Sequence, residues 1–181
     1  MDSPPGIFKH DKLPQLRQNA AAFDGTYEAV APNGKTLSPS AVNWHTSDAT
    51  HYTLRQKPGR QNALGRIKFL FPNPHAIYLH DTPNKELFDR ANRAYSSGCI
   101  RLQDPMDFAD ILLKNSQWTP EKIRAAANKS KESWVNPPNE TPIYLVYWTT
   151  WADTQGQIKF AQDIYNLDNK LLKQYQQALN L

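Results

Sequence analysis

The chain has a single cysteine, Cys99, and it directly follows Ser96-Ser97-Gly98. A thiol becomes a strong nucleophile only once it is deprotonated, and a nearby imidazole can take that proton. His80 lies 19 residues upstream, within Ile77-Tyr78-Leu79-His80-Asp81-Thr82-Pro83. That run predicts a strand whose period of two puts Ile77 and Leu79 on one face and Tyr78 and His80 on the other. A Ser-Ser-Gly-Cys turn can aim successive backbone N–H groups at one point. Gly98 removes the Cβ that would restrict the turn or crowd an approaching carbonyl. This is the raw material of acyl transfer: a nucleophile, a base and an oxyanion site. The same residues have plainer readings. A lone Cys is commonly a small buried apolar residue, and a His before Asp-Thr-Pro commonly serves a turn. A zinc site from His75, His80, Asp81 and Cys99 is not expected, because the alternation puts His75 opposite His80 and no second Cys exists.

The elements that must position these residues are readable in outline. Tyr52 to Gln56 alternates and stops at Pro58-Gly59, as a half-buried strand does. Ile67 to Phe71 and His75 to Asp81 are further strand candidates. Asp104-Pro105 and Thr119-Pro120 are helix starts, with Pro at the first helical position. Ile143 to Trp151 is apolar on both faces and predicts a central strand. Gln155-Gly156 predicts a turn into a hairpin partner, and Leu171 to Leu179 carries the stripe of a terminal helix. Trp118, Trp134, Trp148 and Trp151 are expected in the core. Residues 1–50 carry turn formers, a short helix about Asp11 to Ala22 and little periodic apolar pattern, so they predict an irregular lobe with little core of its own. The fold class is mixed α+β, rich in short strands, with peripheral helices.

Composition closes several routes. The 181 residues suit one domain, 39% hydrophobic and 21% charged. One cysteine excludes a disulfide within the chain. No apolar run approaches the ~18 residues of a membrane span. The net charge of +4 comes from scattered basic residues, so nucleic-acid binding is not expected. Met1-Asp2-Ser3-Pro4-Pro5 lacks the charged and apolar regions of a signal peptide, which also suits a mature or trimmed chain.

The two motif segments resemble the signature of the L,D-transpeptidases with the YkuD fold: a His, a spacer, then Ser/Thr-His-Gly-Cys, an apolar residue and Asn or Arg. Here Ser97 stands where many members have His. The pairing of Leu-His-Asp-Thr-Pro with Ser-Ser-Gly-Cys is similar to the YcbB-like branch. So are His10-Asp11-Lys-Leu-Pro14, Pro39 to Trp44, Arg55-Gln-Lys-Pro-Gly59, Asn62-Ala-Leu-Gly-Arg66 and Asp163-Ile-Tyr-Asn166. The resemblance covers most of the chain. It departs in one respect: this chain begins almost at the Asp-Lys-Leu-Pro segment, where the branch usually has additional strands upstream, so the alternatives are a domain that lacks an edge strand and a trimmed portion of a longer protein.

The resemblance implies a YkuD catalytic fold over 1–181, with a helical substrate-capping insertion over about 8–50 and a catalytic core over 51–181. It implies Cys99 as nucleophile and His80 as base, oriented by the backbone carbonyl of Asp81. The N–H groups of Gly98 and Cys99, with Ser97, would form the oxyanion hole. Tyr78, Ser96, Ser97, Arg101 and Trp44 fall on the substrate side; Arg101 could equally make a local salt bridge and Trp44 could equally be lobe core. The implied partners are peptidoglycan stem peptides, with carbapenems as inhibitors, in the periplasm of a Gram-negative bacterium and without a cofactor. Two other functions are weighed. Papain-like and NlpC/P60-like cysteine hydrolases place Cys before His, the reverse of the order here. A non-catalytic wall-binding module would not need the intact His80 and Cys99.

Overall fold

The computed structural model describes residues 2–96, 98–129 and 131–179, and it opens with a helical run over residues 5–23. Four pieces make up that run: α1 (Pro5–Ile7), a π turn (Phe8–Lys12), α2 (Leu13–Asn19) and a 3-10 turn (Ala20–Phe23). Pro14 explains the π turn. Its ring would press on the carbonyl of His10 in a regular α-helix, and it has no N–H to donate. The chain widens immediately upstream instead. The wide turn also carries the inward face from Phe8 to Leu13, both buried, and on to Leu16 and Phe23.

That face packs on an antiparallel sheet in the order β2-β1-β3, made of Thr36–Leu37, Tyr27–Val30 and Thr53–Gln56. Ala29 faces Leu37 on one side and Leu54 on the other. The β1–β2 turn closes through Gly34, whose φ of +81° suits glycine. Phe8, Leu13, Leu16, Phe23, Ala29, Trp44, Ala49 and Leu54 form one buried cluster. The expectation of a lobe with little core is therefore corrected. The core exists, but it is assembled from single large residues on separate elements, so no one segment shows a stripe. Trp44 is 1% exposed, edge-on to Phe8 and Tyr52, with Nε1–H donating to the Pro39 carbonyl at 2.7 Å.

A second sheet follows in the order β4-β5-β6: Lys68–Phe69, Leu79–His80 and Ile100–Arg101. β4 and β5 are antiparallel, whereas β5 and β6 are parallel. Helices α3 (Pro105–Leu112) and α4 (Pro120–Ala127) lie after it, and a smaller cluster of Ala109, Leu113 and Ile123 gathers Ile67, Phe69 and Trp118. Both helices start where expected. Thr119 caps α4 by accepting from the Lys122 N–H, whereas Asp104 makes no side-chain cap bond at α3.

Both sheets belong to one compact unit, Met1–Asn139; a second unit is Glu140–Leu181. In the second, β7 (Thr150–Ala152) and β8 (Ile158–Phe160) form the expected hairpin around Gly156, and α5 (Asp168–Ala178) is the expected terminal helix. The central strand over 143–151 is corrected. Only its last residues, in Thr150–Ala152, are strand, because β8 offers three partners and no more. Tyr147 instead donates its hydroxyl to Asp163 at 2.7 Å. Ile143 to Trp148 are exposed, as are Trp134 and Trp151, so of the four tryptophans expected inside only Trp118 packs on a core cluster.

Candidate active site

The parallel pairing of β5 with β6 joins the two motifs. Leu79 lies opposite Ile100 and His80 opposite Arg101. The Ile100 N–H donates to the Tyr78 carbonyl at 3.1 Å, and the Leu102 N–H to the His80 carbonyl at 2.8 Å. Cys99 therefore sits one step before the register pair, next to Tyr78. The Tyr78 hydroxyl is within hydrogen-bonding reach of the Cys99 thiol, and its pKa is pushed up to about 12, by burial first and then by Cys99. As the alternation predicts, Tyr78 and His80 share a face, with their rings edge-on at 5.8 Å.

His80 is buried, and its Nδ1 meets the backbone carbonyl of Asp81. That contact makes Nδ1 the protonated nitrogen and leaves Nε2 as the acceptor. Burial lowers the His80 pKa, the Asp81 carbonyl opposes that, and the Arg101 charge lowers it further. The net direction favours a neutral imidazole.

The Cys99 turn is braced by Ser96. Its Oγ–H donates to the Cys99 carbonyl at 2.6 Å and its Oγ accepts from the Gly98 N–H at 3.3 Å. Ser96 thus shapes the turn while remaining exposed, and the Gly98 N–H is engaged locally. Gly98 has φ +133°, a conformation that side chains resist, although a Cβ there would meet open space. The conformation, not crowding by neighbours, is what calls for glycine. Ser97 lies outside the described residues. Arg101 donates from Nη2 to the Tyr95 carbonyl at 3.1 Å, while Nε and Nη1 find no acceptor among the described residues. The local salt bridge considered for Arg101 is not seen among them.

The Asp81 carboxylate is held from three directions. Its Oδ2 accepts from the Arg66 N–H at 2.9 Å, and Oδ1 lies 2.8 Å from the Lys85 ammonium. Gly65 completes the seat: it has φ +60°, and a Cβ there would lie 2.2 Å from Asp81 Oδ2. Burial pushes the Asp81 carboxyl up, but Lys85 and the N–H groups of Arg66 and Thr82 outweigh it and hold it below its ordinary value. The turn presenting Gly65 is built on two buried amides. Gln56 holds Gln61 and Ala63, and Asn62 holds Lys57 and Leu64. Lys85 also donates to the carbonyls of Leu102 at 3.1 Å and Gln103 at 2.6 Å. Among the described residues no group of three or more His, Cys, Asp or Glu could hold a metal ion.

The sequence pattern of the YkuD family, the L,D-transpeptidase catalytic domain, matches residues 2–123. The chain belongs to that family. The match spans both sheets of the first unit and contains Cys99, His80 and their supports. The chain is also similar, at 34% identity over 172 residues, to a Haemophilus influenzae protein named "Putative L,D-transpeptidase". That alignment covers 94% of this chain and 35% of the relative, so the chain spans about a third of the relative's length.

Within the L,D-transpeptidase domain, the structure brings together Tyr78, His80, Asp81, Gly98, Cys99 and Arg101, with Ser96 behind them. Trp44 is apart from them, enclosed in the N-terminal core. Gly65, Arg66 and Lys85 join the site without a catalytic motif that marks them for it. Gly65-Arg66 carried a signal in its likeness to the YcbB-like branch. Lys85 carried none, because a lysine in a turn reads as a solvated charge.

Proposed function

We propose that this chain is the catalytic part of a peptidoglycan L,D-transpeptidase of the YcbB-like branch, acting in the periplasm of a Gram-negative bacterium. The observation that carries the reading is the parallel register, which sets the His80 and Cys99 motifs on adjacent strands. His80, neutral and acting through Nε2, takes the Cys99 proton. The thiolate attacks the carbonyl at the L-centre of diaminopimelate in a tetrapeptide stem, forming a C–S bond. The terminal D-alanine leaves as the peptide bond breaks, and its amine takes the proton from His80. An amine of a second stem then attacks the thioester, giving the 3→3 cross-link and releasing Cys99. The Cys99 backbone N–H and the Tyr78 hydroxyl would stabilise the oxyanion, joined by the Gly98 N–H where substrate displaces its bond to Ser96. Arg101, whose Nε and Nη1 find no acceptor among the described residues, would take a stem carboxylate. Residues 8–50 would cap the donor as a folded piece, closed around Trp44.

The test uses the purified chain with a tetrapeptide stem, followed by mass spectrometry. D-alanine release and a cross-linked dimer are expected, with neither from Cys99→Ala at an unchanged melting temperature. Product from that variant at the wild-type rate would remove Cys99 as nucleophile. Release of D-alanine with water as the sole acceptor would favour the hydrolase reading. Incubation with meropenem should add one covalent adduct on the Cys99 peptide, the β-lactam carbonyl becoming a thioester as the ring opens. No adduct and no turnover would favour a wall-binding module.

A further inference from the structure

We infer that Lys85 is a positioning residue of this site: one ammonium that ties the exit of the histidine strand to the exit of the cysteine strand and so fixes the imidazole. The inference rests on the reading of His80 as the base. β5 and β6 run parallel and are paired over two residues each; just past that register the Leu102 N–H reaches the His80 carbonyl and the Asp81 N–H the Ile67 carbonyl, and the two chains then diverge. Lys85 stands at that fork. On the β5 side it lies 2.8 Å from Asp81 Oδ1. On the β6 side it donates to the carbonyls of Leu102 and Gln103 at 3.1 and 2.6 Å. Leu102 is also the residue whose N–H reaches the His80 carbonyl, so the contacts close a ring around the base.

An ordinary surface ion pair contributes little. This one differs in its acceptor. The Asp81 side chain is 10% exposed, and its other oxygen is fixed by the Arg66 N–H. Removing the ammonium leaves a buried carboxylate with an uncompensated charge, and such a group moves to find water. The seat is tight on the Gly65 side, where even a Cβ would lie 2.2 Å from Asp81 Oδ2, so a carboxylate that shifts to reach water must draw its own backbone with it. That backbone carries the carbonyl that orients His80 Nδ1. Lys85 thus acts on the thiol through two intermediates, the Asp81 carbonyl and the imidazole tautomer, and touches no reacting atom.

The experiment compares the whole chain with its Lys85→Met, Lys85→Gln and Lys85→Arg variants. Proton–nitrogen correlation spectra of the imidazole report the His80 tautomer, and iodoacetamide reports Cys99 reactivity as a function of pH. The wild type should show the Nδ1–H tautomer. Folded Lys85→Met should populate the Nε2–H tautomer. Its alkylation near neutral pH should slow roughly tenfold, a fraction of what a positioned general base supplies. Lys85→Arg keeps the charge but not the compact three-way geometry, so it should fall between them. A wild-type tautomer in folded Lys85→Met overturns the inference; if that variant does not fold, a wild-type tautomer in folded Lys85→Gln overturns it equally. His80→Ala alkylating like the wild type would instead overturn the reading of His80 as base, and the tautomer would still decide the role of Lys85.

Discussion

The two sheets of the first unit are held together by different forces. The N-terminal sheet is closed by apolar burial: Leu54 and Ala29 at its centre and Trp44 across it are sealed from water. The motif sheet has strands of two residues and relies on polar ties, with Asp81 and Lys85 bonding to backbone groups on neighbouring segments and Ser96 bonding within its own turn. Burial is non-directional and tolerant of small shifts. Polar ties fix positions closely and fail abruptly when one partner is lost. A scaffold needs the first property and a site needs the second. The comparison teaches that stability and reactivity are set largely by separate residues here, which makes it breakable by mutation.

The largest effect is expected at Trp44. Trp44→Ala should cost about 3–5 kcal/mol of stability, the usual range for emptying a large aromatic from a core. Thermal or denaturant unfolding measures it, and the folded fraction should react with iodoacetamide at the wild-type rate. A fall in Cys99 reactivity without loss of stability would return Trp44 to the substrate side. Amide exchange should follow the same division: the amides of Tyr27–Val30 and Thr53–Gln56 should exchange more slowly than those of the hairpin Thr150–Ala152.

An intermediate effect belongs to Gly65. Gly65→Ala forces a side chain into φ +60°, a strain of about 1–3 kcal/mol. It also drives a methyl into the Asp81 carboxylate. Stability should therefore fall less than in Trp44→Ala, while acylation by meropenem slows far more. Equal loss in both measurements would mean that the polar ties also carry the scaffold.

The smallest effect is a pH dependence. Because the folded His80 pKa lies below its ordinary value, the unfolded chain binds the proton first as pH falls. Stability from this group is present above a pH of about 6.5 and declines below it until the folded imidazole also titrates. His80→Gln should flatten that part of the stability curve, as read by urea unfolding at a series of pH values. A curve with the wild-type slope would show that His80 is not the group responsible.

Much of the site was legible because its signals are local. The alternation over 77–81 placed Tyr78 with His80, and Ser-Ser-Gly-Cys announced a turn that the structure shows braced by Ser96. Pro105, Thr119-Pro120 and Gly156 likewise marked elements by their own backbone constraints. The N-terminal core was not legible, since Phe8, Phe23, Trp44 and Leu54 meet only in three dimensions and no window holds two turns of pattern. Ile143 to Trp148 misled in the opposite sense. Apolar composition is necessary for a central strand, but pairing partners are also required, and among the described residues this segment has no ladder. Lys85 was invisible because its meaning lies in what it reaches, and a lysine chain reaches far.

The connection from Asp81 to Cys99 runs between two parallel strands whose register is fixed at its ends. It crosses a short 3-10 turn, Lys85–Asp89, and then an exposed stretch through Arg93 and Ala94. Lengthening such a connection costs little, only about 0.6 kcal/mol for each doubling of a flexible loop. The tip near Asn92 is therefore a place where evolution or an engineer can insert chain, a sensor peptide or a binding loop included. The two reactive segments would stay in register while the surroundings of Cys99 are rewritten.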